Sequence, residues 1–275
     1  MKVRRLIILV LFLAGLGAGI YYILNSEELE RAVLFDTALW AVPAAVALGI
    51  VLGAVRAKLK GREAIEDGNV VRHGSGAFLE HWGTALGLFV LIASGILLGF
   101  FFIPSQVQTL EDVFFPLNLH FIGIVVALFG GSYFAADYLV SRKFMLLLPK
   151  PSDVTGGFFG KYLLRREWTA ETKYLSSQKA AFLPWVILGG ALLVTGGIKL
   201  AWRVWPIQTE ILQWSTVIHD ISALLFMLYL IVHILFVLVV PAHRVMLKSW
   251  ITGKVPEEYV KKEHPLWYEE LKKGS

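Results

Sequence analysis

Six long apolar stretches decide what this chain can become. They run roughly over Leu6–Leu24, Thr37–Val55, Ala77–Ile103, Val113–Leu139, Ala180–Trp202 and Trp214–Val240. Each is long enough to cross about 30 Å of hydrocarbon as a helix rising about 1.5 Å per residue. Tyr21, Tyr22, Trp82, Trp202, Trp205 and Trp214 stand at their ends, where amphipathic rings favour the membrane interface. A mean hydropathy of +0.64 excludes a soluble globule of this size, which needs more polar surface. The expected fold class is an all-α integral membrane protein with six transmembrane helices.

Charge placement orients the spans. With the amino terminus inside, the inner segments are 1–5, 56–76, 140–179 and 241–275, and they hold 23 of the 26 Lys and Arg residues. That asymmetry places both termini in the cytoplasm of a cell membrane. The outer loops are short and partly acidic, with Glu27, Glu28, Glu30 and Asp36 in one and Glu111 and Asp112 in another. Bulk is expected inside, as a forty-residue loop 140–179 and a thirty-five-residue tail 241–275. The first stretch, behind Lys2, Arg4 and Arg5, has the outline of a secretory signal, yet no small-x-small site follows cleanly, so it is expected to stay as an anchor. The net charge of +5 comes from these inter-span segments and does not indicate nucleic-acid binding.

The chain has no cysteine, which excludes an iron–sulfur cluster, a disulfide and a thioether-linked haem. Any redox cofactor must hang on histidine or methionine. Four of the seven histidines fall within spans: His81, His120, His219 and His233. An imidazole in hydrocarbon is costly unless paired or coordinated. A lone one is explained by a hydrogen bond to a neighbouring helix; four together ask for more. His219 and His233 are 14 residues apart, about 21 Å of rise and roughly 40° of rotation, so they share a face at two depths. His120 follows the outer start of its span and matches the depth of His219. His81 opens a span from the inside and matches His233. Two facing imidazole pairs result, as bis-histidine haem b requires. Zinc and copper sites are not indicated, because the pairs lie too far apart to share a metal and no thiol or acid joins them. Glu80 and Asp220 adjoin His81 and His219 but point about 100° away, toward interfaces or the surroundings of the site.

Gly95 falls 14 residues after His81 and Gly131 falls 11 after His120, each on nearly the face of that histidine. A porphyrin can lie where such a side chain is missing; the alternative for these two, and for Gly87, Gly99 and Gly130, is close helix packing. Arg72 and Arg244 inside and Arg203 outside are candidate partners for haem propionates, with snorkelling to lipid phosphate as the alternative. His73, His243 and His264 are expected to be solvated or at interfaces.

These residues carry a resemblance. Glu80-His81-Trp82, Ala93-Ser94-Gly95, His120 after Pro116, His219 with His233, Trp250-Ile251-Thr252-Gly253-Lys254-Val255 and His264-Pro265-Leu266-Trp267-Tyr268-Glu269-Glu270 make the chain similar to the cytochrome b (gamma) subunit of membrane-bound formate dehydrogenases, within the dihaem cytochrome b561-like group. The likeness covers roughly residues 70–275. It implies a four-helix dihaem cytochrome b bundle in 61–275, with His120 and His219 on the outer haem iron and His81 and His233 on the inner. It implies an iron–sulfur subunit and a catalytic dehydrogenase subunit as partners, with menaquinone or ubiquinone exchanging electrons near the inner haem. The family's quinone segment resembles Lys173-Tyr174-Leu175-Ser176-Ser177-Gln178-Lys179, so Tyr174, Gln178 and Lys179 are candidate quinone residues. Leu175 and Ser177 depart from the family's Asn and Gly. An apolar side chain offers a quinone oxygen no hydrogen bond, so either Gln178 and a haem-ligand histidine suffice, or the site has moved or vanished. Residues 1–60 form a two-helix extension without counterpart in four-span subunits, which packs at the bundle's flank or binds a further partner.

Nothing in the chain supplies a nucleophile, a phosphate-binding glycine loop or a metal with an open position, so substrate chemistry belongs to other chains. Similar cytochromes also serve nickel–iron hydrogenases and other molybdenum or tungsten enzymes. Two further alternatives are a haem-free anchor and a proton-relaying transporter, for which Asp137 is the main intramembrane acid.

Overall fold

The structure is a computed structural model that describes residues 2–61, 63–100, 103–155, 159–160, 164 and 171–274. Parts of the expected loop 140–179 therefore lie outside the described residues. Six helices are long and apolar enough to cross a membrane: α1 (Lys2–Asn25), α3 (Ala41–Leu59), α4 (Ser75–Leu98), α5 (Phe114–Val140), α6 (Ser176–Ala201) and α7 (Thr209–Val239). A single turn, α2 (Leu34–Thr37), precedes α3, so the second span starts four residues later than its apolar run. It also ends four residues later, because Arg56 and Lys58 stay helical in its last turn. The third span stops at Leu98, since Gly99 turns the chain with φ of 82° and Phe100 pairs with Ile103 across a tight bridge. Only glycine adopts such a φ without strain.

Close backbone packing joins α3 to α5, α4 to α5 and α6 to α7, while no comparable packing joins α4 to α7 among the described residues. Glycines permit the tight approaches. A Cβ on Gly49 or Gly53 of α3 would stand 2.5 Å from the Phe129 carbonyl or 2.3 Å from that of Tyr133. Gly87 and Gly130 do the same between α4 and α5, against the Ala127 backbone at 2.6 Å and Thr84 Oγ1 at 2.2 Å. These are small-residue helix seams, where van der Waals contact replaces the missing hydrophobic drive. Leu6, Val10, Ile187, Val194, Leu225 and Val232 remain exposed on the outer surfaces of their helices, facing what lipid would cover.

The extension is bolted to α4 and α5 by polar contacts at both ends. Asn118 on α5, fully buried, accepts from the Leu34 amide at 2.6 Å and donates to the Ala32 carbonyl at 3.2 Å. At the basic end, Arg56 Nη1 reaches Glu80 Oε2 at 2.5 Å and Asp137 Oδ2 at 2.8 Å, and Lys60 reaches Asp137 Oδ1 at 2.9 Å. Two cations thus balance two buried carboxylates on three different helices. Asp137, the acid of the transporter alternative, is committed to this cluster.

To the all-helical expectation the structure adds a small sheet at the basic end. Strands β1 (Ile65–Glu66), β2 (Asn69–Val71) and β3 (Lys254–Pro256) pair antiparallel in that order. The β1–β2 turn is Asp67-Gly68, with φ of 49° and 70°, the left-handed pair that two-residue hairpins demand. β3 brings in the tail: α8 (Pro241–Thr252) ends at Gly253 in the left-handed region, and α9 (Glu257–Glu263) and α10 (Pro265–Gly274) follow. Val70, Met246, Val255, Val260, Trp267, Tyr268 and Leu271 form a hydrophobic core of this head. The segment before α4 and the tail after α7 therefore fold together.

Candidate haem centres

His120 on α5 and His219 on α7 stand within electrostatic reach of each other, as do His81 on α4 and His233 on α7. In each pair the helices belong to different packed hairpins, α4–α5 and α6–α7.

The orientation of His120 and His219 follows from hydroxyl chemistry. Ser94 Oγ lies 2.8 Å from the Val90 carbonyl, four residues back on its own helix, and 2.9 Å from His120 Nδ1. Thr195 Oγ1 lies 2.6 Å from the Ala191 carbonyl and 2.9 Å from His219 Nδ1. A hydroxyl has one proton, and a carbonyl can only accept. Each hydroxyl therefore donates to its carbonyl and accepts from Nδ1–H. That fixes the tautomer: Nε2 keeps the lone pair and is the nitrogen able to bind iron. Sequence reading gave Ser94 no role of its own and passed over Thr195, both hydroxyls buried in otherwise apolar runs.

His81 and His233 are held differently. The His81 ring stacks on Trp250 of α8 at 4.3 Å between centroids and 25° between planes, and among the described residues its buried Nδ1 has no hydrogen-bond partner. His233 meets the edge of Trp185 on α6 at 5.9 Å and 86°.

The two glycines expected to clear a macrocycle are not filled by a neighbouring helix. A Cβ built on Gly95 or Gly131 would meet nothing within 4 Å, unlike Gly87 and Gly130, which are filled by the neighbouring helix. Gly99 belongs with the packed set, its Cβ position lying 2.4 Å from the Ser105 amide. The donor set, two imidazoles per site with the lone-pair nitrogen free at the hydroxyl-held pair, fits low-spin haem b.

Among the arginines expected at propionates, Arg72 alone is buried. Its guanidinium donates to the Lys173 carbonyl at 2.7 Å and lies over the rings of Trp267 at 5.0 Å and Tyr174 at 5.7 Å. Among the described residues its Nε and Nη1 have no partner, and burial lowers its ordinary pKa. Arg203 instead pairs with Asp36 at 2.6 Å on the exposed opposite end, and exposed Arg244 donates to the Leu238 and Val239 carbonyls that end α7.

The three candidate quinone residues are engaged within the protein. Tyr174 Oη lies 2.5 Å from Tyr138 Oη, and burial pushes the Tyr174 phenol up to about 12. Gln178 Oε1 accepts from the Leu175 amide at 3.1 Å, capping α6. Lys179 pairs with Asp153 at 3.1 Å. Nearby Lys173, lowered to about 8 by burial, pairs with Glu63. His73, His243 and His264, expected to be solvated or at interfaces, are not solvated: they are 7%, 4% and 0% exposed. The head folds over them, with His264 Nδ1 at 2.7 Å from the Thr172 carbonyl.

Comparison with known proteins agrees with the resemblance. The family model of prokaryotic cytochrome b561 matches residues 72–253. The cytochrome b556(Fdn) subunit of nitrate-inducible formate dehydrogenase from Escherichia coli is 29% identical over 203 residues, 70% of this chain and 88% of the relative. The formate dehydrogenase cytochrome b556 subunit of Haemophilus influenzae is 26% identical over 219 residues, 76% and 86% of the two chains. The cytochrome b556(fdo) subunit of formate dehydrogenase from Escherichia coli is 26% identical over 214 residues, 74% and 94%. The matched span begins at the buried Arg72, contains all four intramembrane histidines and closes at the glycine that ends α8, and the chain belongs to the prokaryotic cytochrome b561 family.

Proposed function

We propose that this chain is the electron-transfer subunit of a formate dehydrogenase-like oxidoreductase, passing electrons through two b haems between an iron–sulfur partner and the membrane quinone pool. The observation that carries the proposal is that, of four intramembrane histidines whose spacing matches them in depth two by two, His120 and His219 each have Nδ1 engaged by a buried hydroxyl, Ser94 or Thr195, which leaves Nε2 its lone pair. Bound between each pair, haem b supplies a one-electron carrier. His120 and His219 hold the outer iron and His81 and His233 the inner one. The missing side chains at Gly95 and Gly131 leave room for the macrocycles. The two unpartnered donors of Arg72 suit a propionate of the inner haem.

The basic end faces the cytoplasm, as the Lys and Arg distribution requires. A quinone exchanges electrons there, near the inner haem. Of the two phenol protons in the Tyr138–Tyr174 pair, one is spent between the rings and one is left for a quinone oxygen. The catalytic and iron–sulfur chains dock at the other end, beside the outer haem. The relatives' names support membership of a formate dehydrogenase-like complex, each being a formate dehydrogenase cytochrome subunit.

The purified complex is expected to give a reduced-minus-oxidised spectrum of low-spin haem b with two haems per chain. His219→Leu is expected to remove one of them and to stop donor-to-quinone electron flow. A fully loaded preparation with one haem or none overturns the reading.

A further inference from the structure

Three rings are layered at the basic end. His73, on the strand side of α4, lies parallel to Trp250 at 3.8 Å and 16°, and His81 lies parallel to the same indole at 4.3 Å and 25°. Two rings on one face at these distances would overlap each other, so the histidines occupy opposite faces and Trp250 is the filling. The stack joins a span, the segment before it and the tail.

A second observation ties it to the amino-terminal extension. Arg5, on the first turns of α1 and 3% exposed, donates from its two terminal nitrogens to the carbonyls of His73 and Ile251. These residues are the outer layer of the stack and the immediate neighbour of Trp250. The amides of Arg72 and His73 both donate to the Gly253 carbonyl, at 2.9 and 3.1 Å, closing the arrangement from the other side. The Arg5 guanidinium also lies over Phe78, one turn before His81, at 5.7 Å.

We infer that Trp250 is a positioning residue that sets the ring plane of His81, and that Arg5 clamps it in place, so the tail and the first span together fix the axial geometry of the inner haem. The inference rests on the dihaem reading. Its physical basis is an asymmetry: His120 and His219 have a hydroxyl that defines their rotation, whereas among the described residues the buried Nδ1 of His81 has no partner and its ring is held by aromatic contacts alone, the stack on Trp250 and the edge of Trp82 at 5.0 Å. Stacked rings resist tilting through contact area and their quadrupoles. In a bis-imidazole haem the mutual angle of the two ligand planes governs the ferric g-values, so a change in ring plane is read spectroscopically without any turnover.

The test uses the purified complex and electron paramagnetic resonance of the oxidised haems, with a redox titration beside it. Trp250→Leu removes the aromatic ring but keeps apolar volume, and Trp250→Phe restores a ring. The Leu variant is expected to shift the largest g-value and the midpoint potential of the His81-dependent haem, leaving the other haem's signal in place. The Phe variant is expected to return toward wild type, and Arg5→Gln to shift the same signal in the direction of the Leu variant. Leu and Phe variants that behave alike, whether both match wild type or both lose the inner haem, overturn the inference while the dihaem reading stands. A His81→Ala complex that keeps every haem signal of the wild type overturns both.

Discussion

The two histidine pairs are held by opposite strategies. Each histidine of the His120–His219 pair is fixed from within its own helix hairpin: Ser94 on α4 holds His120 on α5, and Thr195 on α6 holds His219 on α7. The His81–His233 pair relies on aromatic contacts, and the ring stacked on His81 comes from beyond the spans, on α8. One end of the bundle is thus self-contained. The other depends on a head assembled from the segment before α4, the tail and Arg5 of α1. A hydroxyl bond sets a tautomer and a direction, while a stack sets a plane and couples it to whatever carries the second ring.

The largest expected effect falls on the dependent end. Arg56→Met leaves Glu80 beside His81 without its cation and strips Asp137 of one of two, in a place where charge is poorly solvated. Breaking a buried ion pair in this way costs about 3–5 kcal/mol. Thermal unfolding in detergent should fall accordingly, and haem loss on heating should begin with the His81-dependent haem. Equal losses from both haems would break the comparison.

An intermediate effect sharpens the other side. Ser94→Ala and Thr195→Val remove the acceptors for Nδ1–H, and such outer partners are worth about 10–100-fold in affinity at metal-bound histidines. Haem retention by the His120–His219 pair should weaken by that order in dilution experiments, with the His81-dependent haem unmoved. A variant that releases neither haem faster would show that the hydroxyls do not orient these ligands.

The smallest effect concerns pH and the head. Burial, with the nearby cations Arg72, Lys173 and Arg5, holds His73 well below its ordinary 6.5. The unfolded chain takes a proton at His73 as pH falls through that ordinary value, and the folded head does not. Stability is therefore fully present above it and declines as pH drops below about 6.5. Melting followed by tryptophan fluorescence at pH 7.5 and 5.5 measures the loss, and His73→Gln should reduce it.

Much of this was legible along the chain. All six spans were found from apolar runs, and their errors came at ends where local chemistry overrides hydropathy, as at Gly99 or at Arg56, whose charge is buried against Glu80 and Asp137 instead of marking the membrane surface. The hairpin at Asp67-Gly68 carried a readable turn signal that span counting passes over. Thr195 had no such signal: 24 residues separate it from His219, and only the α6–α7 crossing brings them together.

By itself the sequence determined depth. Rise per residue is a local constant of the helix, so the order of Lys and Arg along the chain and the spacing of the histidines suffice to place each imidazole near one end or the other. The tertiary structure alone decided rotation and neighbours: that Gly87 and Gly130 are filled while Gly95 and Gly131 stay open, that Arg72 is buried while Arg203 and Arg244 are not, and that Trp250 covers His81. The reason is that the angle between one helix and the next is set by how whole surfaces fit together, a property no single stretch of chain contains.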